Sequence, residues 1–484
     1  MYEVPLKHLV SITLLLVAVG FFVTDLFGMF YQTALASLLL LIVLCVPFLS
    51  RNLKWYEPVC AMNAMFGLLA FSGIYLAFSG FTTAEHALHE SPVLALRAPW
   101  TLSYVAIWIL CFYIGYYLFR NLPLETPQNE ALVPALAGKQ ARLIRLLSLV
   151  CFLFALGNLI YNIWLFNPND PLAYFTTFGV SRYREQVNEG IYTTLGYHLF
   201  VVGLIFYRFS FRAWSLKRCI VFSVLLIISL VAVLSRGQIF YTFSIVLFLL
   251  SLEYFFAVHR HRYFRWMSRI LPFLFFCIVF SYFARLVSVE MFLAQQAGQD
   301  LNVPEAFLQK ISESGALILG KGNVPNLPAM IVYEDHFGNV EAYLYGESLT
   351  AWAAAFLPFF DATYIGYSIS DIWYPNNVGG IPPGVVHETM ANFGFLGSFF
   401  FAFFFGVVSA LVFNLVVRKF SFLLVVIYLA LFVRFWFILP KVEFAVLSNA
   451  IWLFLPTCVV YAFYLLFGRF YLWVVEKKHD SHNQ

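Results

Sequence analysis

The chain has 484 residues, 62% hydrophobic and 11% charged, with 29 Lys and Arg against 25 Asp and Glu. Apolar runs of about 20 residues, enough to cross a hydrocarbon core as helices, recur along it. This excludes a soluble enzyme and predicts an all-α polytopic membrane protein, whose 57 Phe and 28 Tyr suit lipid-facing and interfacial positions.

In chain order the apolar runs predict twelve helices, near 8–27, 30–50, 59–80, 100–119, 146–166, 191–209, 219–235, 238–257, 269–290, 388–414, 420–440 and 446–466. The first run lacks a small-residue cleavage signature and leads directly into the second, so it is expected to be a retained helix. The connections sort by charge. RNLK (51–54), KQARLIR (139–145), RFSFRAWSLKR (208–218), HRHRYFR (259–265), RK (418–419) and the tail EKKHDSHNQ fall on one side. The positive-inside rule places that side, with both termini, in the cytoplasm. Twenty of the 29 Lys and Arg then lie in or beside cytoplasmic segments and 18 of the 25 acidic residues at outer positions, which fixes the expected orientation.

Two long loops, 167–190 and 291–387, are therefore expected outside the cytoplasm, where chemistry cannot draw on ATP or nucleotide sugars. The expected organisation is a bundle of nine helices over 1–290, a cap over 291–387, and three further helices with the tail over 388–484. The cap holds FLQKISESGALIL (307–319), the turn-rich KGNVPNLPAM (321–330) and the apolar YLYGESLTAWAAAFLPFF (343–360). Its poverty of strand alternation predicts a mainly helical fold lying over the bundle. All seven cysteines (45, 60, 111, 151, 219, 277, 458) fall in or beside apolar runs, which argues against disulfide stapling, a thiolate nucleophile or a cysteine metal site. Rossmann glycines, a P-loop, DxD and HExxH are all missing from the sequence. The pair His86 and His89 in EHALHE has no clear third ligand. No metal or other cofactor is expected, and the basic clusters flank the membrane, so nucleic acid is not expected as a partner.

Arginine near hydrocarbon is costly and asks for a partner or a purpose. Arg236 sits in LSRGQ, Arg434 inside LFVRFWFILPK, Arg285 near the end of the ninth helix, and Arg182 and Arg184 in SRYRE on an outer loop. With Lys441 they are candidates for holding a diphosphate, since guanidinium offers a fork of donors and a fixed charge. The plainer alternatives are internal ion pairs, such as Arg434 with Glu443 or Arg184 with Glu185 or Glu189, and snorkelling for Lys441.

In IPPGVVHETMANFG the prolines resist helix and Val385 onward permits it, which puts His387 and Glu388 in the first turns of the tenth helix. A carboxylate there can simply favour a helix start. It can also take a proton from a hydroxyl, with His387 sharing the task, although adjacent helix residues point about 100° apart. In the cap, Tyr343, Tyr345, Tyr364, Tyr367, Trp373 and Tyr374 are able to stack on sugars, with Glu347, Asp361 and Asp371 nearby. Of these, Tyr345, Glu347, Asp361, Tyr367, Asp371 and Trp373 are the sugar-binding candidates.

The segment WAAAFLPFF…IWYPNNVGGIPPGVVHETMANFGFLGSFFFAFFFG (352–406) resembles bacterial oligosaccharide repeat-unit polymerases, the Wzy family. The likeness rests on Pro375, Pro382, Pro383, Glu388 and Asn392-Phe393-Gly394, together with the SRG at 235–237. His387 stands where that family more often has a small residue. The resemblance implies a membrane glycosyltransferase of the wider GT-C group that uses undecaprenyl-diphosphate-linked oligosaccharides as donor and acceptor, with a separate chain-length regulator (a polysaccharide copolymerase) in the membrane. In that scheme Arg236, Arg182 and Arg434 steady the leaving diphosphate, Glu388 or His387 assists the attacking hydroxyl, and the cap selects sugars. An O-antigen ligase, or a transporter or flippase of an anionic or lipid-linked glycan, are the rival expectations.

Overall fold

The computed structural model describes residues 29–50, 53–78, 91–121, 141–166, 190–211, 215–234, 239–256, 287, 302, 305–306, 308–309, 327–357, 363–373, 382–419 and 421–480. Among the described residues the regular structure is helical, joined by turns and irregular pieces, apart from one isolated bridge between Phe337 and Glu341. In chain order the α-helices are α1 (Met29–Cys45), α2 (Pro58–Phe78), α3 (Ser91–Phe119), α4 (Ala141–Phe166), α5 (Gly190–Phe209), α6 (Leu216–Leu234), α7 (Ile239–Phe256), α8 (Leu327–His336), α9 (Ile365–Trp373), α10 (Gly384–Arg418), α11 (Phe422–Leu431) and α12 (Leu447–Asp480). Among the described residues six segments are long and apolar enough to cross a membrane: Gln32–Leu49, Pro58–Phe78, Leu94–Phe119, Ala141–Tyr161, Gly384–Arg418 and Phe444–Phe467. The architecture is that of a helical membrane protein. The expected helix 8–27, the expected helix 269–290 apart from Val287, and the loop 167–190 apart from Gly190 lie outside the described residues.

Boundaries moved for local reasons. α3 begins nine residues earlier than expected because Pro92 stands at its first turn, where a missing N–H costs nothing, and Pro99 is carried inside the helix. The turn-rich piece of the cap yields to helix at Leu327, with Pro328 at its second position. α11 does not run to residue 440: it ends at Leu431 and passes into a π turn over Phe432–Trp436, closed by the Phe437 N–H on the Phe432 carbonyl at 3.1 Å.

The chain divides into two compact units, residues 1–126, 309–419 and 431–448 in one and 127–308, 420–430 and 449–484 in the other. In the second, α4 packs on α5, and Ser148 Oγ donates to the Gly203 carbonyl at 2.8 Å. In the first, α3 and α10 form the main helix pair. Lipid tails are as apolar as leucine, so such a pair is held by close backbone approach and interhelical hydrogen bonds rather than by hydrophobic burial. Gly115 and Gly406 provide the approach: a methyl at Gly115 would meet the Phe403 carbonyl oxygen at 2.0 Å, and one at Gly406 the Phe112 oxygen at 2.2 Å. Trp108 Nε1 donates to Thr389 Oγ1 at 3.1 Å, and Asn414 Nδ2 donates to the Phe119 carbonyl at 2.7 Å, satisfying an orphan group at the end of α3. Beside that end, Arg120 forms a buried ion pair with Glu57 at 2.6 Å, and Tyr116 donates to the same carboxylate at 2.9 Å.

The described part of the cap folds onto α10. Ile365 and Ile369, one turn apart on α9, are buried with Val332, Tyr333 and Phe337 against Ala391, while Tyr367 and Ser368 face outward.

Candidate functional site

The start of α10 is built around two glycines with positive φ. Gly384 (φ 73°) begins the helix hard against the turn that follows the π segment Phe432–Trp436, where a methyl would lie 2.3 Å from the Pro440 oxygen, and the Val385 N–H donates to the Leu439 carbonyl at 3.1 Å. Gly394 (φ 71°, ψ −177°) breaks the helix ten residues later. The break leaves the Ala391 and Asn392 carbonyls without their helical donors, and the cap supplies replacements. Leu344 and Tyr345 N–H groups donate to them at 3.0 and 2.9 Å. The Asn392 side chain completes the joint: Oδ1 accepts from the Gly346 N–H at 2.9 Å, while Nδ2 donates to Ser348 Oγ and to the Glu388 carbonyl, each at 2.7 Å.

His387 and Glu388, both fully buried, part company on this short helix. The Glu388 carboxylate accepts from Ser348 Oγ at 3.0 Å and from the Phe444 N–H at 2.6 Å, bracing the cap against the turn that opens α12. Next to it, Glu443 is buried and accepts the Gly366 N–H at 2.7 Å. Burial raises the Glu443 carboxyl above the ordinary carboxylate range, with its backbone hydrogen bonds pulling the other way. His387 turns instead toward α8, with Nε2 3.0 Å from Glu334 Oε1. The other Glu334 oxygen accepts from Thr101 Oγ1 at 2.8 Å.

Glu334 opens onto a pocket of about 380 Å³, within the range of roughly 300–1,000 Å³ common for small-molecule sites. α3 contributes Leu96, Arg97 and Trp100; α8 and the turn after it contribute Glu334, Phe337, Gly338 and Asn339; Tyr343 and α10's Met390 and Phe395 close it. Trp100 stacks on Phe395 with centroids 5.5 Å apart and stays 52% exposed. Arg97 pairs with Asp335 and remains half-exposed. One wall is therefore aromatic, and the polar groups include a carboxylate, a guanidinium and an amide. Aromatic faces against carboxylate and amide groups suit a polyhydroxylated ring, whose C–H faces stack and whose hydroxyls both donate and accept.

Among the diphosphate candidates, Arg434 is fully buried in the π turn, and Lys441 is part-buried on the turn after it, its N–H donating to the Ile438 carbonyl at 2.9 Å. Arg182, Arg184, Arg236 and Arg285 lie outside the described residues, as do Asp361 and the histidines 86 and 89. Tyr345 is 81% exposed, Glu347 accepts from Thr363 at the surface, and Tyr367 is exposed beside Tyr364. None of these three lines the pocket, and neither does Glu388. Asp371 and Trp373 belong to α9. Among the described residues no group of three His, Cys, Asp or Glu side chains is placed to hold a metal ion.

The sequence reading passes over Arg97, Trp100, Glu334 and Asn339. The rule that singles out Arg434 applies equally to Arg97, which stands near the start of a membrane-length helix. Glu334 and Asp335 end the apolar run LPAMIVY, and charged residues closing such a run were the available signal. No family model matches the chain, and no curated protein or solved structure matches it.

Proposed function

We propose that the protein is a metal-independent glycosyltransferase that polymerises undecaprenyl-diphosphate-linked oligosaccharide repeat units at the outer face of the bacterial inner membrane, for O-antigen or a related surface polysaccharide. The growing glycan passes from its lipid diphosphate to a sugar hydroxyl of a new unit. The reading includes twelve spans, both termini in the cytoplasm and the cap outside. One observation carries it: a pocket with aromatic walls and a carboxylate lies where α10 begins, in the unit that holds the polymerase-like segment.

Two further considerations support it. An outer-leaflet enzyme has no nucleotide to spend, and a lipid diphosphate supplies its own leaving group. Arg434 sits in a π turn whose exit is bonded to the start of α10, and fixed guanidinium charge in a low-dielectric setting stabilises negative charge developing on a departing diphosphate. Arg182, Arg184 and Arg236 join it in this scheme, with a membrane chain-length regulator as protein partner.

Product analysis tests the reading. Purified protein in lipid, given undecaprenyl-diphosphate repeat units from its own strain, is expected to release undecaprenyl diphosphate and lengthen the glycan. Transfer only to added lipid A-core would make it a ligase, and unchanged substrate moved between leaflets a flippase.

A further inference from the structure

Glu334 is held from two sides and open on a third. Thr101 on α3 and His387 on α10 each hold one carboxylate oxygen, at 2.8 and 3.0 Å, while the group lines the pocket beside Trp100, Asn339 and Tyr343. Two carboxylate oxygens offer about four acceptor sites, so these bonds orient the group without saturating it. His387 is fully buried, and its Nδ1 has no hydrogen-bond partner among the described residues. An ionised carboxylate only accepts, so the imidazole Nε2 at this distance must bring the proton. His387 is thus a fixed donor, its ring edge-on to Tyr104 with centroids 5.8 Å apart, which leaves Glu334 as the proton acceptor that faces the cavity.

We propose that this pocket seats the acceptor sugar of the incoming repeat unit, and that the Glu334 carboxylate takes the proton from its attacking hydroxyl, with His387 as a positioning residue behind it. The inference rests on the glycosyl-transfer reading above and assigns that reaction a residue and a seat. In the step, the acceptor O–H bond breaks and its proton passes to Glu334. The oxygen forms the new bond to the donor's anomeric carbon, and the bond from that carbon to the diphosphate oxygen breaks, its electron pair leaving on the diphosphate. Trp100, with Phe395 behind it, and Tyr343 provide the stacking surface.

The test measures undecaprenyl diphosphate release from lipid-linked repeat units of the protein's own strain by the full chain in lipid nanodiscs. Glu334→Gln is expected to lower kcat by about 10²- to 10⁴-fold, the usual contribution of a positioned base, with KM nearly unchanged, and Glu334→Asp to recover part of the loss. His387→Gln, which keeps a donor toward Glu334, is expected to retain more activity than His387→Ala. Trp100→Ala is expected to raise KM about tenfold with kcat kept, and it touches neither Glu334 hydrogen bond, so it reads the seat even if the Glu334 variants fold poorly. Release by Glu334→Gln at the wild-type kcat, or an unchanged KM in Trp100→Ala, overturns the inference and leaves the polymerase reading standing. A wild-type protein that releases no undecaprenyl diphosphate overturns both.

Discussion

Tyr343 lies across Gly394: a methyl group at Gly394 would stand 3.2 Å from the tyrosine Cζ, and one at Gly338, also at positive φ, would stand 2.4 Å from the hydroxyl of the same ring. The residue that breaks α10 therefore also gives a pocket aromatic its place. At φ 71° and ψ −177°, a conformation that essentially only glycine adopts, Gly394→Ala is expected to cost roughly 1–3 kcal/mol from the backbone alone and to displace Tyr343. A lowered melting temperature in detergent together with a raised KM for repeat units would show both effects.

Asn392 ties Gly346 and Ser348 of the cap to the Glu388 carbonyl of α10, and its loss leaves the part-buried Gly346 N–H without its acceptor. A buried donor left unsatisfied costs about 1–3 kcal/mol and a part-buried one lies at the lower end. Asn392→Ala is expected to lower stability by at least that much and to speed proteolysis within 344–348. Asn392→Asp keeps the acceptor but sets a carboxylate oxygen against the buried Glu388 carbonyl in place of Nδ2, so it is expected to be no more stable than Asn392→Ala.

Glu388 and Glu334 are expected to separate under the same substitution. Gln at 388 still offers an oxygen to the Phe444 N–H and an amide to Ser348, so Glu388→Gln should keep turnover within about threefold, whereas Glu388→Ala leaves the part-buried Phe444 N–H and the buried Ser348 hydroxyl without their acceptor and should lower stability by about 1–3 kcal/mol. Turnover assays and melting curves on both variants check this. A kcat collapse in a stably folded Glu388→Gln would move the base from Glu334 to Glu388.

Burial raises the Glu443 carboxyl above its unfolded value. The folded protein then holds a proton that the unfolded chain has already released. The stabilising contribution is full below the unfolded carboxylate pKa and is lost as pH rises through the folded one. Melting temperatures of wild type and Glu443→Gln, compared at about pH 5 and pH 8, are expected to diverge: the wild type loses more on going to the higher pH, because the variant has no charge to bury.

Much of the helical frame was legible because a bilayer demands long apolar helices, and runs such as 59–80 and 146–166 announce themselves by length. Ends were less legible where proline is tolerated, as in α3, or where a helix changes type, as at Phe432. The site divides the same way. Pro382-Pro383 and the change in polarity point to the start of α10, and His387 and Glu388 stand out there as charged or titratable groups in an apolar run. Which of them reaches the carboxylate that lines the pocket depends on a 100° turn of helix and on α8, fifty residues upstream, so Glu334 could not be matched to His387 from spacing alone. Asn392 and Gly394 look like a motif in the sequence, while their work, replacing lost helical bonds with cap bonds, exists only in three dimensions.

The decisive measurement is glycan length after incubating the purified protein in lipid with undecaprenyl-diphosphate repeat units. A polymerase with Glu334 as its base gives a ladder of products spaced by one repeat unit from the wild type, and none over the same time from a stably folded Glu334→Gln. A wild-type protein that leaves every repeat unit at its original length would contradict this assignment.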